Sequence, residues 1–420
     1  MFTSIPQIQT DNLLDTLREA LDRRNFSDFT KMLLPFWKVD EKPDFSNFSP
    51  KIEAELALIV GEFLIEFGKS RSNPELIEVG KDTLTNASDY FWNIGDREKS
   101  FQCQMLLAIG YSYQGSYDEY QIFLQEAEQY FQNDQTNSVF LQIQVNYLIL
   151  ELDMKQLVQA IERVDKLKQT VAGSKNGKIK ALFNLQAGII KRLTGDFQES
   201  VKHFQAGLHN AGEIGSRHHQ SLILNCLANT YRCQKNFPRA LETIDKAIEL
   251  ATDNSGWLPH LFDTKANILL DLDNIEGALE YADAAVINFQ GGEDYRGFCE
   301  ALWTHCQILF RAGMPEMALH SFLELCETGK SRIGEKFVEK YILEFLSYNY
   351  FTQSKGLLQK IDDLKESQLR TALIKTDGKR TEAAQLMKIP HQYLTKLIKK
   401  FPRIENEFPT TRKPRNDRKK

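Results

Sequence analysis

The chain has 420 residues, 42% hydrophobic and 26% charged, with 52 Lys and Arg against 57 Asp and Glu. This is the make-up of an ordinary globular protein with core enough for two or more domains. No run approaches about 18 consecutive apolar residues, which excludes a membrane-spanning helix and a membrane partner from the reading.

The opening stretch, MFTSIPQIQTDNLL, has no basic flank before an apolar core and no cleavage pattern, so no signal peptide is expected. The six cysteines, Cys103, Cys226, Cys233, Cys299, Cys306 and Cys326, lack finger spacing. Pairs seven apart on helical faces suit buried, reduced thiols and a cytoplasmic location.

Residues 10 to 350 read almost entirely as helix, with Gly, Asp and Asn at the breaks and no period-2 run. Asn25-Phe26 and the Gly61 to Gly68 stretch look like degenerate hairpins. From Gly115 (QGSYDEY) onward, similar turns recur at Asp153, Gly195, Lys235, Asp273 and Gly313, at spacings of 38, 42, 40, 38 and 40 residues. A period near 40 with a turn in each unit predicts stacked helical hairpins, about seven in all. In Ser221 to Leu250, Leu227-Ala228 and Tyr231 occupy one helix, Asn236-Phe237 the turn, and Ala240, Ile244 and Ala247 the return helix. Small residues there let two backbones approach. Gly188, Gly195, Phe197, Phe204 and Gly207 repeat the theme, as do Ala266, Ala278, Ala282 and Ala285, then Gly313, Ala318 and Phe322.

These units resemble tetratricopeptide repeats with helices longer than the usual 34-residue period allows. The resemblance implies an all-α superhelical solenoid over residues 1–335 whose first helices line a concave surface. It places Arg192, Asn225, Asn229, Arg232, Asp263, Asn267 and Gln307 inward. Asn offers a donor and an acceptor to an extended peptide backbone, and Arg suits a carboxylate. A peptide or protein ligand in this groove is the expectation, set against the plainer reading of polar residues on a wet surface.

Catalytic patterns are missing. Gly329-Lys330-Ser331 and Gly68-Lys69-Ser70 end like a P-loop, but Glu324 and Phe63 stand where its first glycine is required. His218-His219 lacks an acidic or cysteine partner at ligand spacing and reads as a solvated helix start. No enzyme, no metal and no cofactor are expected.

Residues 336–366 read as connecting helices: Phe337 to Tyr350 is aromatic-rich and Lys355 to Lys365 amphipathic, suited to capping the last hairpin or to homodimerisation. Residues 367–403 then parse as three short helices. The first ends at the Asp377-Gly378 turn; Thr381 is positioned to cap the second, which carries Ala383, Ala384 and Leu386; Pro390 suits the start of the third. The third helix sets Leu394, Ile398 and Phe401 on one face and His391, Gln392, Thr395, Lys396, Lys399 and Lys400 on the other.

This order resembles the Fis-type helix-turn-helix, over about forty residues. The resemblance implies phosphate contacts from Lys379, Arg380 and Thr381, and double-stranded DNA recognition through His391, Gln392, Tyr393, Thr395, Lys396, Lys399 and Lys400. It departs from the family pattern at Lys379, Lys388, Pro390, His391 and Leu397, which leaves individual base contacts open. Charge supports the assignment: residues 370–420 hold 15 Lys or Arg and 5 Asp or Glu, net +10, leaving 37 and 52 in residues 1–369, net −15. The basic stretch 404–420 is expected to be a disordered tail. The whole reads as a bacterial-type DNA-binding transcription regulator with a sensing or scaffolding repeat domain. The alternative is a repeat adaptor whose basic end binds RNA or an acidic partner.

Overall fold

The computed structural model describes residues 7–71, 73–113, 117–251, 256–290, 292, 294–347, 355–387, 389 and 391–409. Among them every regular element is an α-helix. A short pair, α1 (Gln7–Asp22) and α2 (Phe26–Leu33), opens the chain, with Asn25 capping α2. Helical hairpins follow: α3 (Pro50–Ser70) with α4 (Pro74–Asn93), α5 (Arg97–Tyr113) with α6 (Tyr117–Phe131), and α7 (Ser138–Asp153) with α8 (Leu157–Gly173). Next come α9 (Gly177–Leu193) with α10 (Phe197–Glu213) and α11 (Arg217–Cys233) with α12 (Phe237–Leu250). The last two pairs are α13 (Leu258–Asp271) with α14 (Ile275–Phe289) and α15 (Tyr295–Arg311) with α16 (Pro315–Arg332).

The recurring turn has a local cause. After the first helix of a pair one residue enters the left-handed region: Lys155 (φ 59°), Gly195 (82°), Lys235 (59°), Asp273 (60°) and Gly313 (74°). In the three middle pairs an Asp or Asn follows and caps the return helix, Asp196, Asn236 and Asn274 each accepting a backbone amide three residues on. Each such cap contributes on the order of 1 kcal/mol. The turn expected at Asp153 centres on Lys155, because Asp153 is still the last residue of α7. Gly115 lies outside the described residues.

Between helices the small residues perform the packing role expected of them. Ala228, Ala240 and Ala247 are fully buried, as are Ala266, Ala278 and Ala285. Gly188 presses against the Phe204 ring so closely that a Cβ would sit 2.5 Å from it. Gly61 and Gly68, by contrast, mark no hairpin turn. Both lie inside the 21-residue helix α3, where Gly61 admits Leu84 of α4 within 2.5 Å of a Cβ position.

Helix α17 (Glu335–Ser347) covers the end of the last hairpin: Tyr341 meets Trp303, with ring centroids 5.5 Å apart, and Phe345 stacks on Phe322 at 3.7 Å. The C-terminal module is separate in sequence. It comprises α18 (Lys355–Lys375), α19 (Arg380–Leu386), α20 (His391–Lys400) and α21 (Pro402–Glu407) around Leu369, Leu373, Ala383, Ala384, Leu394, Ile398 and Phe401. Helix α18 runs unbroken through residues 366 and 367, where the connecting segment was expected to end. The module also extends beyond residue 403: Ile404 is 1% exposed in its core, since Pro402 starts another helical turn that folds the apolar side chain back. Residues 410–420 of the expected tail lie outside the described residues.

Candidate functional site

The exposed face of the C-terminal module is built by its turns. Asp377 and Gly378 both take positive φ (50° and 75°), ending α18 and reversing the chain into α19. Lys379, not Thr381, occupies the cap position of α19 and offers no side-chain cap bond; Thr381 is in the first helical turn, exposed. Lys379 pairs with Glu382 at 3.1 Å and Arg380 donates to the Phe408 carbonyl at 3.0 Å. In α20 the core face is Leu394, Leu397 and Ile398, with buried Phe401 just beyond its end, while His391, Lys396, Lys399 and Lys400 are exposed. Thr395 is half-buried and donates to the His391 carbonyl at 2.9 Å. The side chains of Gln392 and Tyr393, and Lys388 and Pro390 altogether, lie outside the described residues.

On the repeat array the polar row falls on first helices: Arg192 on α9, Asn225, Asn229 and Arg232 on α11, Asp263 and Asn267 on α13, and Gln307 on α15. Much of it is engaged between neighbouring repeats. Asn229 Nδ2 donates to Thr264 Oγ1 at 3.2 Å, and Asn267 Nδ2 to Thr304 Oγ1 at 2.9 Å, the same bond one repeat on. Arg232 Nε pairs with Asp271 at 2.7 Å. These bonds hold one first helix to the next, a cohesive role that spacing alone does not distinguish from ligand contact. Asn225 Oδ1 and Arg192 Nε are buried without an internal partner. Burial pushes Asp263 up to about 6, against hydrogen bonding from Thr304 and the charges of His260 and Arg232.

A second polar cluster, which the spacing of repeats did not reveal, lies where the array curls until its N-terminal helices meet α9, α11 and the start of α13. Arg24, in left-handed conformation (φ 52°) at the end of α1, pairs with Glu66 and approaches His218 Nε2 at 2.9 Å. Tyr113 Oη donates to Glu66 at 3.2 Å. Lys178 at the start of α9 bridges Asp22 (3.0 Å) and Glu62 (3.2 Å). Burial lowers the Lys178 ammonium, but the two carboxylates outweigh it and leave it raised. Gly256 (φ 62°) lies so close to the end of α3 that a Cβ would stand 2.3 Å from the Ser70 carbonyl oxygen.

His218 and His219 are therefore not a solvated helix start. Ser216 caps α11 and bonds His219 Nδ1 at 2.7 Å, which turns the pair toward the closure. Burial, then the Arg24 and Lys178 charges, holds His219 down at about 3; burial, Arg24 and His219 hold His218 well below its usual range. Both rings are neutral near pH 7, so His218 can accept from the guanidinium. His260 Nε2 meets Asp294 at 3.0 Å on the same side. Burial raises the Asp294 carboxyl, yet His260 and the Gly297 amide outweigh it and hold it below the ordinary range.

Among the described residues no group of His, Cys, Asp and Glu is arranged to hold a metal ion, and no helix is long and apolar enough to cross a membrane. Cys103, Cys299 and Cys306 are buried while Cys233 is exposed, and all six thiols are free. Burial raises Cys103, Cys299 and Cys306 far above the thiolate range.

No family model matches the chain, and no curated protein matches it in sequence. Solved structures do match in fold. The chain is similar to a Rap protein solved in complex with the competence and sporulation factor, with 12% identity and a TM-score of 0.56, over 86% of this chain and 99% of that one. It is also similar to the Cut9–Hcn1 hetero-tetramer of the APC/C, with 12% identity and a TM-score of 0.53, over 80% of this chain and 57% of that one. At such identities the likeness establishes architecture alone, and that architecture is the all-α tetratricopeptide-like solenoid.

Proposed function

We propose that the protein is a non-enzymatic, DNA-binding transcription regulator. Its Fis-type module would read double-stranded DNA, and its repeat domain would sense a peptide or protein ligand. The observation that carries the first half is the division of α20 into a buried apolar face and an exposed face bearing His391, Lys396, Lys399 and Lys400. A helix so divided suits a major groove, with lysines on phosphates and amide or hydroxyl groups on base edges. The net +10 of residues 370–420, on a body of net −15, supplies the polarity that favours one end as the nucleic-acid contact. Arg380, tied to Phe408, and Lys379, paired with Glu382, would exchange those partners for phosphates.

The sensing half is supported by the fold shared with a Rap protein that holds a factor in complex, and by unpartnered polar atoms on first helices. Regulation would be a population shift between arrangements of the array that present α20 differently. Selection from a pool of random duplex DNA tests the reading. The full chain is expected to enrich one motif, and replacing Gln392, Thr395 and Lys396 together by Ala is expected to abolish enrichment with the helical CD signal kept. Salt-dependent retention without any motif, unchanged by the mutations, would instead favour the adaptor.

A further inference from the structure

Beneath the contact between the N-terminal helices and α9, α11 and α13 lies a cavity of about 300 Å³. None of the groove residues expected from the repeat pattern lines it. Its wall includes three cationic side chains, Arg24, Lys69 and Lys178, and three carboxylates, Glu62, Glu66 and Asp294, so cations and carboxylates stand in equal number beside His218, His219 and His260. Between them are leucines and isoleucines from α5, α7, α9 and α11, among them Leu106, Ile149 and Leu182. Asn146 on α7 joins this wall, only 7% exposed; Tyr120 donates to its backbone carbonyl at 3.2 Å. Its side-chain Nδ2 is buried and has no hydrogen-bond partner. A buried donor left unmade is destabilising, typically by about 1–3 kcal/mol, and an acceptor supplied by a ligand relieves that cost.

We propose that this cavity binds a zwitterion the size of an amino acid or dipeptide, carrying an apolar side chain, whose carboxylate accepts from Asn146 Nδ2. Three physical constraints converge on that class. The volume stands at the bottom of the range of about 300–1,000 Å³ in which drug-sized ligands are held, so an extended peptide does not fit. Cationic and carboxylate side chains both line the chamber, so a zwitterion can be matched at its two ends where a singly charged ligand is matched at one. The aliphatic wall takes up the apolar side chain. This deepens the sensing half of the proposed function, placing its ligand in the chamber rather than along the Asn229–Asn267 row, and it does not depend on DNA recognition.

The test uses the full-length chain with leucine, leucyl-leucine, and leucyl-leucine blocked by N-acetyl and C-amide groups, followed by thermal shift and calorimetry. Saturable binding of leucine or the free dipeptide, with none by the blocked one, is expected. Asn146→Leu, which removes the orphan donor, and Asn146→Asp, which replaces it by an acceptor, should each weaken that binding at least about tenfold while the parent CD spectrum is kept. Equal binding of the blocked dipeptide, binding unaffected by both variants, or no binding by any of the three overturns the assignment. DNA selection run in parallel separates the two readings: a selected motif with no zwitterion bound leaves the regulator standing and removes the chamber, and the reverse outcome does the opposite.

Discussion

Replacing Gly256 by alanine separates ring closure from local backbone preference. Two glycines share a left-handed conformation, Gly95 at φ 81° and Gly256 at φ 62°, but a Cβ on Gly95 meets nothing within 4 Å. On Gly256 it would stand 2.3 Å from the Ser70 carbonyl oxygen and 3.1 and 3.2 Å from the Ser70 carbonyl carbon and Cα. Gly95→Ala thus carries only the left-handed penalty, about 1–2 kcal/mol. Gly256→Ala carries the same penalty plus the overpacking of backbone against backbone, about 1–3 kcal/mol more, because no rotamer change relieves it. The unfolded-state gain of a Gly→Ala change is common to both and cancels in the comparison. Denaturant unfolding should show Gly256→Ala the less stable by at least about 1 kcal/mol. Hydrogen exchange should show faster exchange of α1 and α3 amides in that variant alone, since those helices must move off the array. Equal losses in the two variants, with unchanged protection of α1 and α3, would refute the closure.

Acid should loosen the same contact. His218 and His219 have folded pKa values depressed below the unfolded 6.5, so the stability they contribute is complete above pH 6.5 and is lost as pH falls below it, for His219 down to about 3. The slope is about 1.4 kcal/mol per pH unit per histidine. Asp263, raised to about 6, works the other way: its contribution is present below about 3.8 and is lost as pH rises through 6. Replacing both histidines by Gln should flatten the fall in denaturant stability between pH 6.5 and 5. Leu394, fully buried at the centre of the C-terminal module, should cost about 2–5 kcal/mol when cut to Ala. Exchange of α18 to α20 amides should then accelerate while α9 to α16 stay protected. If α20 lies on phosphates, Lys399→Ala and Lys400→Ala should each reduce the slope of log affinity against log salt by about one, without changing the selected motif.

The hairpins were legible because their causes are local. Turn chemistry at Gly195, Lys235, Asp273 and Gly313, and caps at Asp196, Asn236 and Asn274, act over three or four residues. Small residues at Ala228, Ala240 and Ala247 announce close packing one helix away. The three helices around Asp377-Gly378 are short-range for the same reason. Thr381 misled because the turn delivers the chain into helix two residues earlier than a Thr381 hydroxyl cap requires. Gly61 and Gly68 misled because a glycine inside a helix serves close packing as readily as a turn serves chain reversal.

The sequence by itself determined the repeat and the amphipathic division of α20, since both follow from spacing along one element. The tertiary structure alone decided which polar residues share a chamber. Arg24 and His218 are 194 positions apart, and Lys178 lies 156 and 116 from its partners Asp22 and Glu62. Whether they meet depends on a small rotation between successive hairpins, accumulated over the array until its start reaches its middle. No window of sequence contains that sum, so Asn146 and the neutral histidines became a candidate site only when the chain had closed on itself.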